Sequence, residues 1–132
     1  MFASLVESVR DELTETAEKH REKYAKFSDE TLKGMADHVH KSLRKVGEDG
    51  RNSNGDKVFI HHAHQAAAPH YKKHEFHGLL HAMNQKGHVE LHRADQAPMM
   101  HQGHVDKSES PYKMGGREVA TFHFIRDPGA KR

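Results

Sequence analysis

The residues of this chain best suited to chemistry are its histidines, of which there are fifteen, most of them between His61 and His104. Imidazole nitrogens bind zinc, nickel or copper, and two histidines one helical turn apart can share an ion. The groups are His61, His62 and His64; His74, His77 and His81 on one predicted helical face; and His101 and His104. No His-Glu-x-x-His motif is present, and the neighbouring acids complete no recognisable ligand set. The sequence therefore predicts no resident metal and no other cofactor.

Histidine offers a second chemistry, because imidazole titrates near pH ~6.5. Many histidines on one exposed face would gain positive charge on mild acidification, and binding to a polyanion would then tighten. The alternative is that histidine merely replaces lysine or glutamine on a polar surface. A metal-binding surface remains the third interpretation.

Catalytic patterns are missing. The chain has no cysteine, so a nucleophile would have to be a serine or threonine near a histidine and an acid. Ser108 and Ser110 lie in an irregular stretch without the context of a nucleophile elbow. The sequence GEDGRNSNGD at 47–56 lacks the lysine and hydroxyl spacing of a phosphate-binding loop. We therefore predict no catalytic residues and no enzymatic activity.

The elements that position the histidines follow from hydrophobic spacing. Ser28, followed by two acids, predicts the start of one helix, which Gly47 ends. Phe76, Leu79, Leu80 and Met83 form the apolar stripe of another, and His74, His77, His81 and Gln85 are predicted on its opposite, exposed face. The predicted helices cover about 3–26, 29–46, 61–68 and 72–86, and the predicted strands cover 57–60, 89–93 and 119–125, with an irregular loop at 94–117.

This order predicts an α+β fold, mainly α with a small antiparallel sheet, in a single domain. The phrases DKVFIHHAHQA, HEFHGLLHAMNQKGHVELHRAD and VATFHFIR resemble winged helix-turn-helix modules of bacterial and phage proteins. The resemblance covers about residues 56–126, with the helix at 29–46 as the preceding core helix. It implies a winged helix-turn-helix at 28–126, preceded by a long amphipathic helix at 1–27 and followed by a flexible tail at 127–132.

A winged helix implies duplex DNA as the partner, held by helix 72–86 and by the wing at 94–117. Amides and imidazoles could contact base edges, while lysines and arginines could contact phosphates. Tyr112 could pack against a sugar or a base. The predicted DNA-binding residues are Lys72, Lys73, His74, His77, His81, Asn84, Gln85, Lys86, Arg93, Lys107, Lys113 and Arg117.

Charge supports this interpretation weakly. Eight acids and five bases give residues 1–30 a net charge of −3, whereas sixteen bases and eleven acids give residues 31–132 one of +5. The basic part would therefore carry any surface that binds a polyanion. No apolar run is long enough to span a membrane, and no signal segment opens the chain, so a cytoplasmic protein is predicted.

An alternative function uses the same scaffold as a protein–protein interaction module of a bacterial or phage assembly. Exposed apolar residues such as Met99, Met100 and Tyr112 would then form a patch. In either case the helix at 1–27, whose apolar stripe thins between Ala17 and Tyr24, is predicted to dock or to pair with a second copy in a homodimer.

Overall fold

Four α-helices and five short β-strands make up the part of the chain that the computed structural model describes, residues 17–52, 55–93, 107–114 and 117–129. The α+β prediction is therefore confirmed. The helices are α1 at 17–25, α2 at Asp29–Leu43, α3 at Ile60–Ala67 and α4 at Lys73–Gln85, with a 3₁₀ turn at Glu48–Gly50. The strands are β1 at Lys57–Phe59, β2 at Leu91–His92, β3 at Ser110–Met114, β4 at Arg117–Phe122 and β5 at Phe124–Arg126.

The start of α2 forms as its sequence predicts. The Ser28 side chain accepts a hydrogen bond from the backbone N–H of Thr31 at 3.1 Å, and Asp29 and Glu30 occupy the positive end of the helix dipole. Its apolar stripe is buried against α3 and α4 in a core with the inner residues of the sheet. The buried residues of this stripe are Leu32, Ala36, Val39 and Leu43.

A three-stranded antiparallel sheet joins distant parts of the chain in the order β1-β5-β2. Ile125, at the centre of β5, pairs with Val58 on one side and Leu91 on the other. The prediction of one strand at 119–125 with a single buried face is wrong at its end. The chain leaves its ladder at His123, and both Phe124 and Ile125 are buried because β5 is the central strand.

Strands β3 and β4, at residues 110–114 and 117–122, pair as a separate two-stranded antiparallel hairpin. The prediction of an irregular loop across 94–117 is therefore wrong for residues 110–114. Ser110 is fully buried while Pro111 is exposed, an alternation too short and too polar to register as a strand pattern. The earlier part of that loop, including Met99, Met100, His101 and His104, lies outside the described residues.

The fold continues past residue 126, where the sequence predicted a flexible tail. Asp127 is 3% exposed and pairs with Arg51, with 2.9 Å between Nη1 and Oδ2. Its backbone N–H also donates to the carbonyl of Asp56 at 2.8 Å. The sequence placed Asp127 in the tail because a pairing partner 76 residues away leaves no local signal.

The predicted N-terminal helix is described only from residue 17, and residues 17–25 are helical. Its apolar residues Phe2, Leu5, Val6, Val9 and Leu13 lie outside the described residues. No helix within the described ranges is long and apolar enough to cross a membrane.

Candidate functional site

Helix α4, the predicted DNA-binding helix, is buried on more than its apolar stripe. Phe76, Leu79, Leu80 and Met83 face the core, as the sequence predicts. Burial nevertheless extends without interruption from Phe76 to Met83. A helix with one open face would show exposed positions every three or four residues along that stretch. Its outward side is therefore covered by other parts of the protein.

The prediction that His77 and His81 are exposed is wrong, because they are 5% and 3% exposed. His81 is covered by the β3–β4 hairpin. Its Nε2 lies 2.8 Å from Ser110 Oγ, and its ring stacks on that of Tyr112, with 5.2 Å between centroids. A second contact with the Phe122 ring, at 5.7 Å, completes the enclosure. Neither histidine can reach a base edge in this conformation.

Helix α1 covers the same side of α4 at Gly78. A Cβ atom on Gly78 would lie 2.5 Å from His20 Cβ, 2.7 Å from the Arg21 backbone nitrogen and 2.8 Å from the Ala17 carbonyl oxygen. Only glycine admits a helix this close. On the wheel of α4, Gly78 falls opposite the core stripe, beside His74 and His81. One feature of the sequence indicates this contact, a glycine in the middle of a predicted helix.

Two further contacts hold α1 in place. The guanidinium of Arg21 lies over the Tyr112 ring, 5.5 Å from its centroid, which connects α1 to the hairpin. At the other end of α1, the Tyr24 hydroxyl donates to Glu75 Oε2 at 3.4 Å. Burial, with the Glu75 carboxylate as a second cause, raises the pKa of Tyr24 well above its ordinary value.

The amides predicted to contact bases are engaged within the protein. Asn84 Oδ1 accepts a hydrogen bond from the backbone N–H of Leu91 at 3.3 Å, joining α4 to β2. Gln85 Nε2 donates to the Tyr112 hydroxyl on the hairpin. Tyr112 is accordingly half-buried against His81 and does not belong to an open apolar patch.

The predicted phosphate-contacting residues lie at the edges of this covered face. Lys72 and Lys73 are exposed at the start of α4, whose N-terminus has no side-chain cap. His74 is half-buried beside them, and burial, with Lys73 as a second cause, lowers its pKa. Lys86, Arg93, Lys107 and Arg117 are also exposed, and Lys113 lies on β3 opposite Glu118. These residues lie at the two ends of α4, after β2, and on or beside the hairpin. The contacts of the described residues do not bring them together on one surface.

Burial also decides how the two enclosed histidines titrate. It lowers the pKa of His77 to about 3 and that of His81 to about 4, and nearby positive groups add to both effects. Both rings therefore stay neutral at pH 6, and the hypothesis that they add charge on mild acidification is wrong for them. That hypothesis requires exposed imidazoles, and both of these rings are buried.

Several histidines instead meet in a cavity of about 400 Å³ between α3 and the start of α4, lined in part by His61, His64 and His77. Lys73 and Lys107 lie on its walls. The sequence placed His61 and His64 together but could not connect them to His77 or Lys107. Among the described residues, no three histidine, aspartate or glutamate side chains are arranged to hold a metal ion.

Comparison with known proteins yields no match: no protein-family model fits the chain, and no curated protein or solved structure is significantly similar to it.

Proposed function

We propose that residues 28–126 form a winged helix-turn-helix and that this domain is a non-catalytic protein–protein interaction module. The order α2, β1, α3, α4, β2, hairpin, β5 supports the fold, as does the antiparallel strand order β1-β5-β2. The short turn at 68–72 between α3 and α4 also supports it, as does the β3–β4 hairpin between β2 and β5, because a wing follows the second of the two helices.

One observation favours an interaction module over a DNA reader. The side of α4 opposite its core stripe carries α1, packed so closely at Gly78 that a single added Cβ would clash. A helix that contacts bases must enter the major groove with that side free. With α1 in place the side chains of α4 cannot reach a base, and the domain instead uses this helix to hold another helix.

The partner we propose is a second copy of the chain, held through the N-terminal segment. Phe2, Leu5, Val6, Val9 and Leu13 recur mainly at steps of three and four, upstream of the part of α1 that docks on α4. An amphipathic helix with such a stripe needs an apolar surface to cover it, and pairing of two copies supplies one symmetrically.

Light scattering coupled to size-exclusion chromatography tests the dimer. We expect the wild-type chain to be dimeric at micromolar concentrations and Leu5→Glu/Val9→Glu to be monomeric. The matched control, Ser4→Glu/Ser8→Glu, changes the same charge on the opposite side of the predicted helix and should stay dimeric. A monomeric wild-type chain, or dissociation by both pairs of substitutions, would rule out this interface.

Binding of duplex DNA is the second candidate function, and a specific observation favours it. Lys72 and Lys73 are exposed at the start of α4, where backbone N–H groups and the helix dipole also attract phosphate. DNA binding would then require α1 to leave the face that it covers.

Anisotropy of a labelled duplex at two salt concentrations separates the two candidates. Gly78→Ala forces α1 away from α4, whereas Gly34→Ala on α2 places its Cβ in open space and serves as the control. If the domain is an interaction module, the wild type, Gly78→Ala and Gly34→Ala should all show no salt-sensitive binding of the duplex. Binding by Gly78→Ala alone would indicate a DNA-contacting helix shielded by α1, and binding by the wild type would overturn the proposal.

A further inference from the structure

The cavity of about 400 Å³ beside α3 has lining side chains that favour anions. His61 and His64 come from α3, Lys73 and His77 from α4, and Lys107 from the segment that enters β3. All five carry nitrogen donors or potential donors, and two are ammonium groups. No carboxylate occurs among the described residues that line it.

Contacts outside the cavity fix the groups that line it. The backbone N–H of His61 donates to Ser108 Oγ at 3.0 Å, which holds the neighbouring Lys107 beside the start of α3. His64 Nε2 donates to the Tyr71 carbonyl at 2.6 Å, and the ring stacks on that of Phe76 with 5.1 Å between centroids. His64 is thereby held in one orientation, so the site is preorganised.

His77 forms a buried wall of the cavity. Burial is the main reason that its pKa is low, and the positive charges of Lys73 and of His81 and His64, when these are protonated, act in the same direction. The Lys73 ammonium is charged at pH 7, so its field at this wall favours a bound anion. That polarity agrees with the chemistry of the lining side chains.

We propose that this cavity binds a phosphate group through Lys73, Lys107 and the imidazoles of His61 and His77, while His64 is held in the wall by its hydrogen bond to the Tyr71 carbonyl. A phosphate monoester carries about −1.5 to −2 charges at pH 7, which the two ammonium groups balance. A cavity of about 400 Å³ lies within the range of small-ligand sites and exceeds the size of phosphate alone. The phosphate therefore belongs to a larger molecule, either a small phosphorylated compound or the terminal phosphate of a nucleic-acid strand.

Nuclear magnetic resonance of the isotope-labelled full-length chain, titrated with inorganic phosphate at pH 7.5 with a chelator present, tests the site. Chloride at equal ionic strength provides the reference. We expect saturable shifts at His64, His77 and Lys107, and a roughly tenfold or greater loss of affinity in each of Lys73→Gln and Lys107→Gln. Lys86→Gln removes an exposed lysine at the other end of α4, outside the cavity, and should bind like the wild type.

Two further titrations identify the source of the phosphate. Adenosine 5′-monophosphate is compared with adenosine, and a 5′-phosphorylated oligonucleotide with its 5′-hydroxyl form. Tighter binding of either phosphorylated member, lost in Lys73→Gln/Lys107→Gln, supports the site and names the source. Absence of saturable shifts with phosphate, or equal weakening by Lys86→Gln, would overturn it. This inference stands independently of the dimer and of DNA binding by α4.

Discussion

His77 and His81 belong to a polar layer on α4 that the neighbouring elements have enclosed. His81 keeps one ring nitrogen on Ser110, while its Nδ1 is buried without a hydrogen-bond partner among the described residues. Such a group is tolerated only while neutral, because desolvation strongly disfavours the imidazolium. The sequence could not separate these rings from exposed ones, since a histidine at a given helical angle is equally compatible with solvent or a packed neighbour.

Protein stability should therefore fall below neutral pH. The folded-state pKa values of about 3 for His77 and about 4 for His81 lie below the ordinary 6.5, so the unfolded chain binds protons first. The contribution of each neutral histidine to the free energy of unfolding is complete above pH ~6.5. As the pH falls toward the folded-state pKa values, the free energy of unfolding decreases by ~1.4 kcal/mol per pH unit for each histidine. Urea unfolding at pH 7.5, 6 and 5 measures this slope.

His81→Gln retains a partner for Ser110 but cannot titrate, so it should remove one of the two contributions to that slope. His70→Gln, at an exposed position in the turn before α4, serves as the control and should leave the His81 contribution unchanged. A slope that is the same in His81→Gln as in the wild type would show that His81 is not the titrating group.

Among the elements, α2 shows most clearly which features of a helix are encoded by adjacent residues and which depend on residues outside it. Its start is encoded by Ser28 and two acids within three residues, and that start was predicted. Its end depends on Arg51, which lies beyond the predicted stop at Gly47. The Arg51 guanidinium donates to the carbonyls of Leu43, Val46 and Gly55 and to the carboxylate of Asp127.

Arg51→Met should lower the free energy of unfolding by ~3–5 kcal/mol, because it leaves the buried Asp127 carboxylate without its counter-ion. Denaturant unfolding measures the change. Arg126→Met is the matched control, since its ion pair with Glu90 at 3.0 Å is about half exposed and worth ~0–1 kcal/mol. Similar losses for both substitutions would indicate that burial does not govern the Arg51 contribution.

In the whole molecule, β5 lies near the end of the domain and joins two strands that come much earlier in the chain. It pairs with β1, which precedes α3, and with β2, which follows α4. Ile125 is fully buried at the centre of this sheet, in one core with α2, α3 and α4. Loss of its packing should therefore affect all these elements together.

Ile125→Ala should destabilise the protein by ~2–5 kcal/mol and Ile125→Val by ~0.5–1.5 kcal/mol, in proportion to the cavity that each creates. Circular dichroism for the helices and tyrosine fluorescence for the tertiary packing should report one coincident unfolding transition for all three chains. Separate transitions by the two probes would mean that the helices and the sheet do not share a single cooperative core.

The sequence by itself determined the α+β class, the start of α2, the positions of α3 and α4, and the core stripe from Phe76 to Met83. These features follow from apolar spacing and helix capping, which depend only on residues close together in the sequence. Only the tertiary structure decided that α1 and the β3–β4 hairpin cover the outward side of α4, that Asp127 joins the core, and that His61, His64, His77 and Lys107 meet in one cavity. Each of these contacts joins residues distant in sequence, and residues that meet only after folding leave no mark in local periodicity.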